Sequence, residues 1–209
     1  MLTINFLGDS ITEGALASCE ENTYVRQVGK MLDAKVRNYG ISATRFAKQI
    51  VPSSDPRADL YFASRVDDME NDADYMIVFG GTNDFGHGDA PIGEMEDNTP
   101  DTYLGSLNVL IDKLLKYYKK EQIKFILPFH RMDEDNPFGD GSKKKSSLVL
   151  DGYVFLLKTL LKKRGVEYYD FREEMGPGKD NPLLGDGLHP NDDGHKKLAE
   201  LICQKLKNI

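Results

Sequence analysis

The chain has 209 residues, of which 40% are hydrophobic and 29% charged, with a formal net charge of −7. That size and balance predict one globular domain over residues 1–209 with a core of its own. An acidic chain with only short basic runs is a poor partner for polyanions, so nucleic acid is not an expected ligand. No stretch approaches the about 20 apolar residues of a membrane span. The start of the chain lacks the positive region and cleavage site of a secretory signal, so the expected setting is cytoplasmic. Cys19 and Cys203 are too isolated to form a disulfide framework or a metal site.

In chain order, Thr3–Leu7 is a short apolar, partly β-branched run that reads as a strand. It ends on Gly8-Asp9-Ser10-Ile11-Thr12. Lys35–Tyr39 is a second strand, followed by Gly40-Ile41-Ser42-Ala43-Thr44. Tyr75–Phe79 is a third, followed by Gly80-Gly81-Thr82-Asn83-Asp84. After a Gly-, acid- and Pro-containing loop over Phe85–Asn98 comes a helix over Asp101–Lys120. Thr99 is its expected cap, with Pro100 at the first position, and Leu104, Leu107, Ile111, Leu114 and Tyr118 share one face. Ile123–Phe129 is the fourth strand. A second long loop, His130–Ser147, starts acidic and ends on Lys143-Lys144-Lys145. Leu148–Arg164 is a helix stopped by Gly165, and Val166–Phe171 is the fifth strand. Asp186-Gly187-Leu188-His189-Pro190 follows, and Asn191 caps a last helix through Leu198, Leu201 and Ile202.

Strands that alternate with helices and read as continuous apolar runs predict an α/β protein with a parallel sheet covered on both faces. Ligands of such sheets bind at the carboxyl ends of the strands, where each of the polar segments above lies. Loops 85–98 and 130–147 leave the same edge and are candidate pocket walls or lids.

Ser10, placed between strand and helix, is a candidate nucleophile, although a turn serine or an anion-binding helix start has the same appearance. The segment is not the Gly-x-Ser-x-Gly elbow, because Thr12 holds the second glycine position. Asp186 and His189, three apart, can share one turn, so that the carboxylate orients the ring and leaves the other nitrogen as a base; a plain surface turn is the alternative. Asn83 is placed to aim a side-chain amide at a developing oxyanion. Gly40 is a backbone N–H with no side chain in the way. His87, His130 and Arg131 follow strand ends and are candidate substrate contacts. His195 reads as structural and Asp9 as a turn residue. No His, Asp or Glu set has convincing metal spacing, and Asp133–Asp140 is not a calcium loop.

Gly8-Asp9-Ser10, Gly40, Gly80-x-x-Asn83 and Asp186-x-x-His189, in that order and over nearly the whole chain, resemble the blocks of the SGNH/GDSL hydrolases. The resemblance implies a flavodoxin-like three-layer α/β/α sandwich with a five-stranded parallel sheet, and a serine esterase that needs no cofactor or metal. By resemblance Ser10, His189 and Asp186 form the triad, and the Ser10 N–H, the Gly40 N–H and the Asn83 side chain form the oxyanion hole. Ala43 stands where relatives commonly carry glycine, outside the groups read as catalytic. The implied substrate is a short acyl ester, acetyl above all, of a small molecule or carbohydrate. A lysophospholipase or thioesterase is the alternative. From a different class, a flavodoxin-like binding module would cradle a phosphate in Gly8–Thr12, but no Walker-type motif follows the first strand.

Overall fold

The computed structural model describes residues 1–207. Five strands form one parallel sheet: β1 (Thr3–Gly8), β2 (Lys35–Gly40), β3 (Tyr75–Phe79), β4 (Ile123–Ile126) and β5 (Glu167–Tyr169). Their spatial order is β2-β1-β3-β4-β5, the flavodoxin-like arrangement. The helices are α1 (Ser10–Glu13), α2 (Tyr24–Leu32), α3 (Phe62–Arg65), α4 (Thr82–Gly86), α5 (Tyr103–Leu114), α6 (Leu150–Arg164), α7 (Arg172–Met175) and α8 (Asp192–Lys207).

The continuous apolar runs of the inner strands have a direct cause. Side chains alternate across a strand, and here both faces are covered. Leu7, Met76, Val78, Ile123 and Phe125 point into a buried cluster with α3, α5 and α6. Ile4, Phe6, Ile77, Phe79 and Ile126 point into a second cluster with α2 and α8. Each fully buried side chain of this size contributes on the order of 2 kcal/mol from burial alone. Two polar residues interrupt the inner strands: Asn5, whose side-chain amide donates to the Glu70 carbonyl and the Tyr118 hydroxyl, and Lys124, whose ammonium reaches Glu167 on neighbouring β5 and lies over the Tyr75 ring.

Helix boundaries differ from expectation where capping decides them. Helix α5 begins at Tyr103, because the Thr102 hydroxyl, not that of Thr99, accepts the Gly105 amide at 3.0 Å. It ends at Leu114, and Tyr118 then packs beyond the helix, where its hydroxyl accepts from Asn5. Helix α6 ends as expected on Gly165, at φ 65°. Asn191 caps α8 by accepting the Gly194 amide at 3.1 Å. No helix of the described residues is long and apolar enough to cross a membrane.

The register sets the site. Gly8 lies level with Gly40 on one side and Phe79 on the other, so β1, β2 and β3 all end at one edge. The strand order reverses its course between β1 and β3, where an open α/β sheet leaves a crevice.

Candidate active site

The turn out of β1 is built by crowding. A Cβ on Gly8 would collide with the Thr12 side chain, so only glycine lets α1 fold back so tightly. Asp9 caps α1 by accepting the Ile11 amide at 3.1 Å, and Ser10 becomes its first residue. The Ser10 carbonyl accepts the Gly14 and Ala15 amides, which leaves its side chain free of structural duty.

At the far end of the chain, the loop before α8 is pinched shut. Leu184 bridges Pro190, and the Gly185 amide donates to the His189 carbonyl at 2.9 Å. Within the loop, one oxygen of Asp186 accepts the Leu188 and His189 amides at 2.9 and 2.7 Å. Its other oxygen takes His189 Nδ1 at 2.7 Å. His189 Nε2 then lies 2.9 Å from Ser10 Oγ. With the proton on Nδ1, Nε2 is the acceptor for the serine hydroxyl. Partial burial raises the Asp186 pKa, but the His189 amide, the His189 ring and the Leu188 amide outweigh it, and the carboxyl lies below its ordinary value.

Asn83 is buried on α4, and its side-chain amide donates to the Thr44 carbonyl at 3.0 Å, which ties the loop after β2 to the turn after β3. Gly81, at φ 103°, supplies the left-handed turn before it. Gly40 departs from expectation. Its amide donates to the Asn38 side chain at 2.8 Å, and a Cβ there would collide with the Glu13 amide. Glycine is needed at that position for the close approach of β2 to α1, and its N–H is already used. Ala43, three residues on, is held at φ 61°. A side chain in that region costs on the order of 1 kcal/mol. Among the described residues, the amides of Ser10 and Ala43 have no hydrogen-bond partner.

The model of the GDSL-like lipase/acylhydrolase family matches residues 6–197. The chain belongs to this family of ester hydrolases. Among solved structures, a protein from Lactobacillus plantarum is similar with a TM-score of 0.81 at 25% identity, over 99% of this chain and 97% of that one. A lipase/acylhydrolase from Enterococcus faecalis is similar with a TM-score of 0.70 at 22% identity, over 100% and 96% of the two chains. A carbohydrate acetylesterase from Sinorhizobium meliloti is similar with a TM-score of 0.72 at 17% identity, over 100% and 99%. These likenesses carry the fold. No curated protein sequence matches the chain.

The remaining candidates in this GDSL-like hydrolase separate clearly. His87 caps α4, and its ring leans on the Ala43 carbonyl at 3.4 Å and on Asp140 at 3.5 Å. Burial, joined by the nearby Arg45 charge, lowers its pKa and favours the neutral ring. Arg131 does not reach out to a ligand. It is buried, with its guanidinium on the Thr82 carbonyl and hydroxyl and on Asp133, over the Phe85 ring. It holds α4 in place. His130 pairs with Glu134 at 2.6 Å and Arg172 at 3.3 Å, in a separate recess with Asp170 and Glu173. His195 is structural: it accepts the Tyr24 amide, donates to the Ala15 carbonyl and stacks on the Tyr24 ring.

Three features near the site carry weak sequence signals or none. Leu16 and Met132, both exposed, lie against Gly185 and Gly187 and flank the His189 loop on two sides. Arg65 is buried and pins the ends of β1 and β2 and the loop between them, donating to the carbonyls of Gly8 and Tyr39 and to the Thr44 hydroxyl. Asp9 is the third. Burial pushes its carboxyl up to about 7, against the Ile11 amide and Arg65, and its Oδ2 has no partner among the described residues.

The Asp9 shift has a definite sign. The folded state holds this proton more tightly than the unfolded chain, so Asp9 subtracts stability as pH rises from about 4 to about 7. Asp9→Asn keeps the acceptor for Ile11 and removes the buried charge. Thermal or urea unfolding is expected to show this variant more stable than the parent at pH 8, on the order of a few kcal/mol. The gain shrinks as pH is lowered towards 4. An equal or lower stability at pH 8 contradicts the assignment.

Proposed function

We propose that this chain is a serine esterase in which Ser10 is the nucleophile, His189 the general base and Asp186 its orienter. The observation that supports this best is the unbroken chain of hydrogen bonds from Asp186 through the His189 ring to Ser10, at 2.7 and 2.9 Å. Ser10 Oγ attacks the ester carbonyl as its proton passes to His189 Nε2. Asp186 stabilises the imidazolium. The tetrahedral oxyanion is held by the Ser10 N–H, the Asn83 side-chain amide and the Ala43 N–H. The last replaces Gly40 in the role expected from sequence, because the Gly40 amide is spent on Asn38. Each such donor is typically worth about 3 kcal/mol in the transition state. The imidazolium then protonates the leaving alcohol. Water, activated by the same ring, releases the acid and restores Ser10.

The proposed substrate is a short acyl ester, acetyl in the first instance, of a small molecule or carbohydrate. The likeness over full length to a carbohydrate acetylesterase supports this choice. The exposed Leu16 and Met132 beside the triad favour the second reading, a longer-chain acylhydrolase. A series of p-nitrophenyl esters decides between them. Highest kcat/KM on the acetyl or propionyl ester is expected, and a maximum at eight or more carbons would replace the acetyl reading with the long-chain one.

A further inference from the structure

A pocket of about 720 Å³ opens where the loop after β2, the end of α4 and the loop before α6 meet. It is lined by Ile50 and Val51 on one side, His87 on another, and the run Lys143–Lys145 on a third. The mechanism uses none of these side chains. His87 connects the pocket to the catalytic side, because its ring touches the carbonyl of Ala43.

The charges in the pocket are unevenly spent. Lys143 turns inward, donating to the Asp84 carbonyl at 3.0 Å and the Tyr153 hydroxyl at 3.2 Å. Lys144 and Lys145 are exposed and make no ion pair or side-chain hydrogen bond among the described residues. The one acidic lining residue, Asp89, accepts the Ile50 and Val51 amides at 2.9 and 2.8 Å and so builds the opposite wall. Asp140, near by, faces His87. Two lysines whose ammonium groups are in no ion pair among the described residues therefore line the same pocket as Ile50 and Val51, on a protein whose net charge is −7. General surface basicity does not account for that placement.

From this we infer that the pocket is a subsite for the alcohol portion of the ester, and that this portion carries an anionic group, a carboxylate or a phosphate, held by Lys144 and Lys145. The inference rests on the esterase reading. If the acyl group is as small as acetyl, a cavity of this volume suits the other part of the substrate. Ile50 and Val51 give its carbon skeleton an apolar surface while the lysines take its charge. An anion there stays near solvent, so its worth is modest and sensitive to salt.

The test compares 4-acetoxybenzoate and 4-acetoxyphenyl phosphate with the neutral 4-acetoxybenzamide. Wild-type enzyme and a Lys144→Gln/Lys145→Gln double variant are assayed on all three. Taking the ratio of anionic to neutral kcat/KM in each enzyme, and then comparing enzymes, cancels the intrinsic reactivity of the esters. The expected result is a ratio about tenfold higher in the wild type, the size expected of two exposed charge pairs, expressed in KM and eroded by added salt. Whether the carboxylate or the phosphate gains more identifies the anion. The neutral ester is turned over equally by both enzymes. A ratio that does not change between the enzymes overturns the subsite. Failure of wild-type enzyme to hydrolyse even the neutral ester overturns the esterase reading itself, which is a separate and recognisable outcome.

Discussion

Ser10→Ala is expected to lower kcat on a short-chain ester by about a millionfold while leaving the fold in place. The reason lies in what each atom of Ser10 does. Its backbone carbonyl closes α1 by accepting from Gly14 and Ala15, and alanine keeps that role. Its hydroxyl has one partner, His189 Nε2. Removing the hydroxyl deletes the proposed nucleophile and nothing the helix depends on. Steady-state kinetics and a thermal melt on the same preparation check both halves. A variant with native stability that keeps a tenth of the activity would contradict the assignment.

Asp186→Asn is expected to cost about ten-thousandfold in kcat, with little change in stability. The carboxylate accepts three hydrogen bonds, from the Leu188 and His189 amides on one oxygen and from the His189 ring on the other. Asparagine keeps one acceptor for the two amides, so the loop holds its shape. The atom facing Nδ1 becomes a donor. The ring must then carry its proton on Nε2, where it meets the Ser10 hydroxyl as a donor and cannot accept its proton. The side chain keeps its place and the base function is lost. Circular dichroism and kcat measured together distinguish this from a collapsed loop, which would lose both.

Much of the architecture was legible from the chain because its physical cause is local. The inner strands alternate between two buried clusters, and no polar position interrupts Tyr75–Phe79. Asp and His three residues apart meet because an aspartate that accepts its own loop's amides brings the following residues round to it. The errors have physical causes as well. Gly40 reads as an open backbone donor because it lacks a side chain, yet the side chain is missing for the sake of packing against α1. The residue with the free amide and the left-handed backbone is Ala43, and nothing in its own residue type marks it as a backbone donor. Arg131 and His130 leave a strand at the correct edge, but their side chains are already engaged, Arg131 by Thr82 and Asp133 and His130 by Glu134 and Arg172. Strand position alone does not reveal those partners. The short helices α1, α3 and α4 have no periodicity to read, and the pinning role of Arg65 depends on three distant partners.

The most direct test of the central claim is labelling with a fluorophosphonate probe, followed by peptide mapping of the adduct. Such a probe reacts fastest with a serine activated by a positioned base, and it makes no demand on knowing the natural ester. One adduct is expected, on Ser10, and it is absent from the Ser10→Ala variant. Labelling that persists in that variant, or maps to another residue, would contradict the claim.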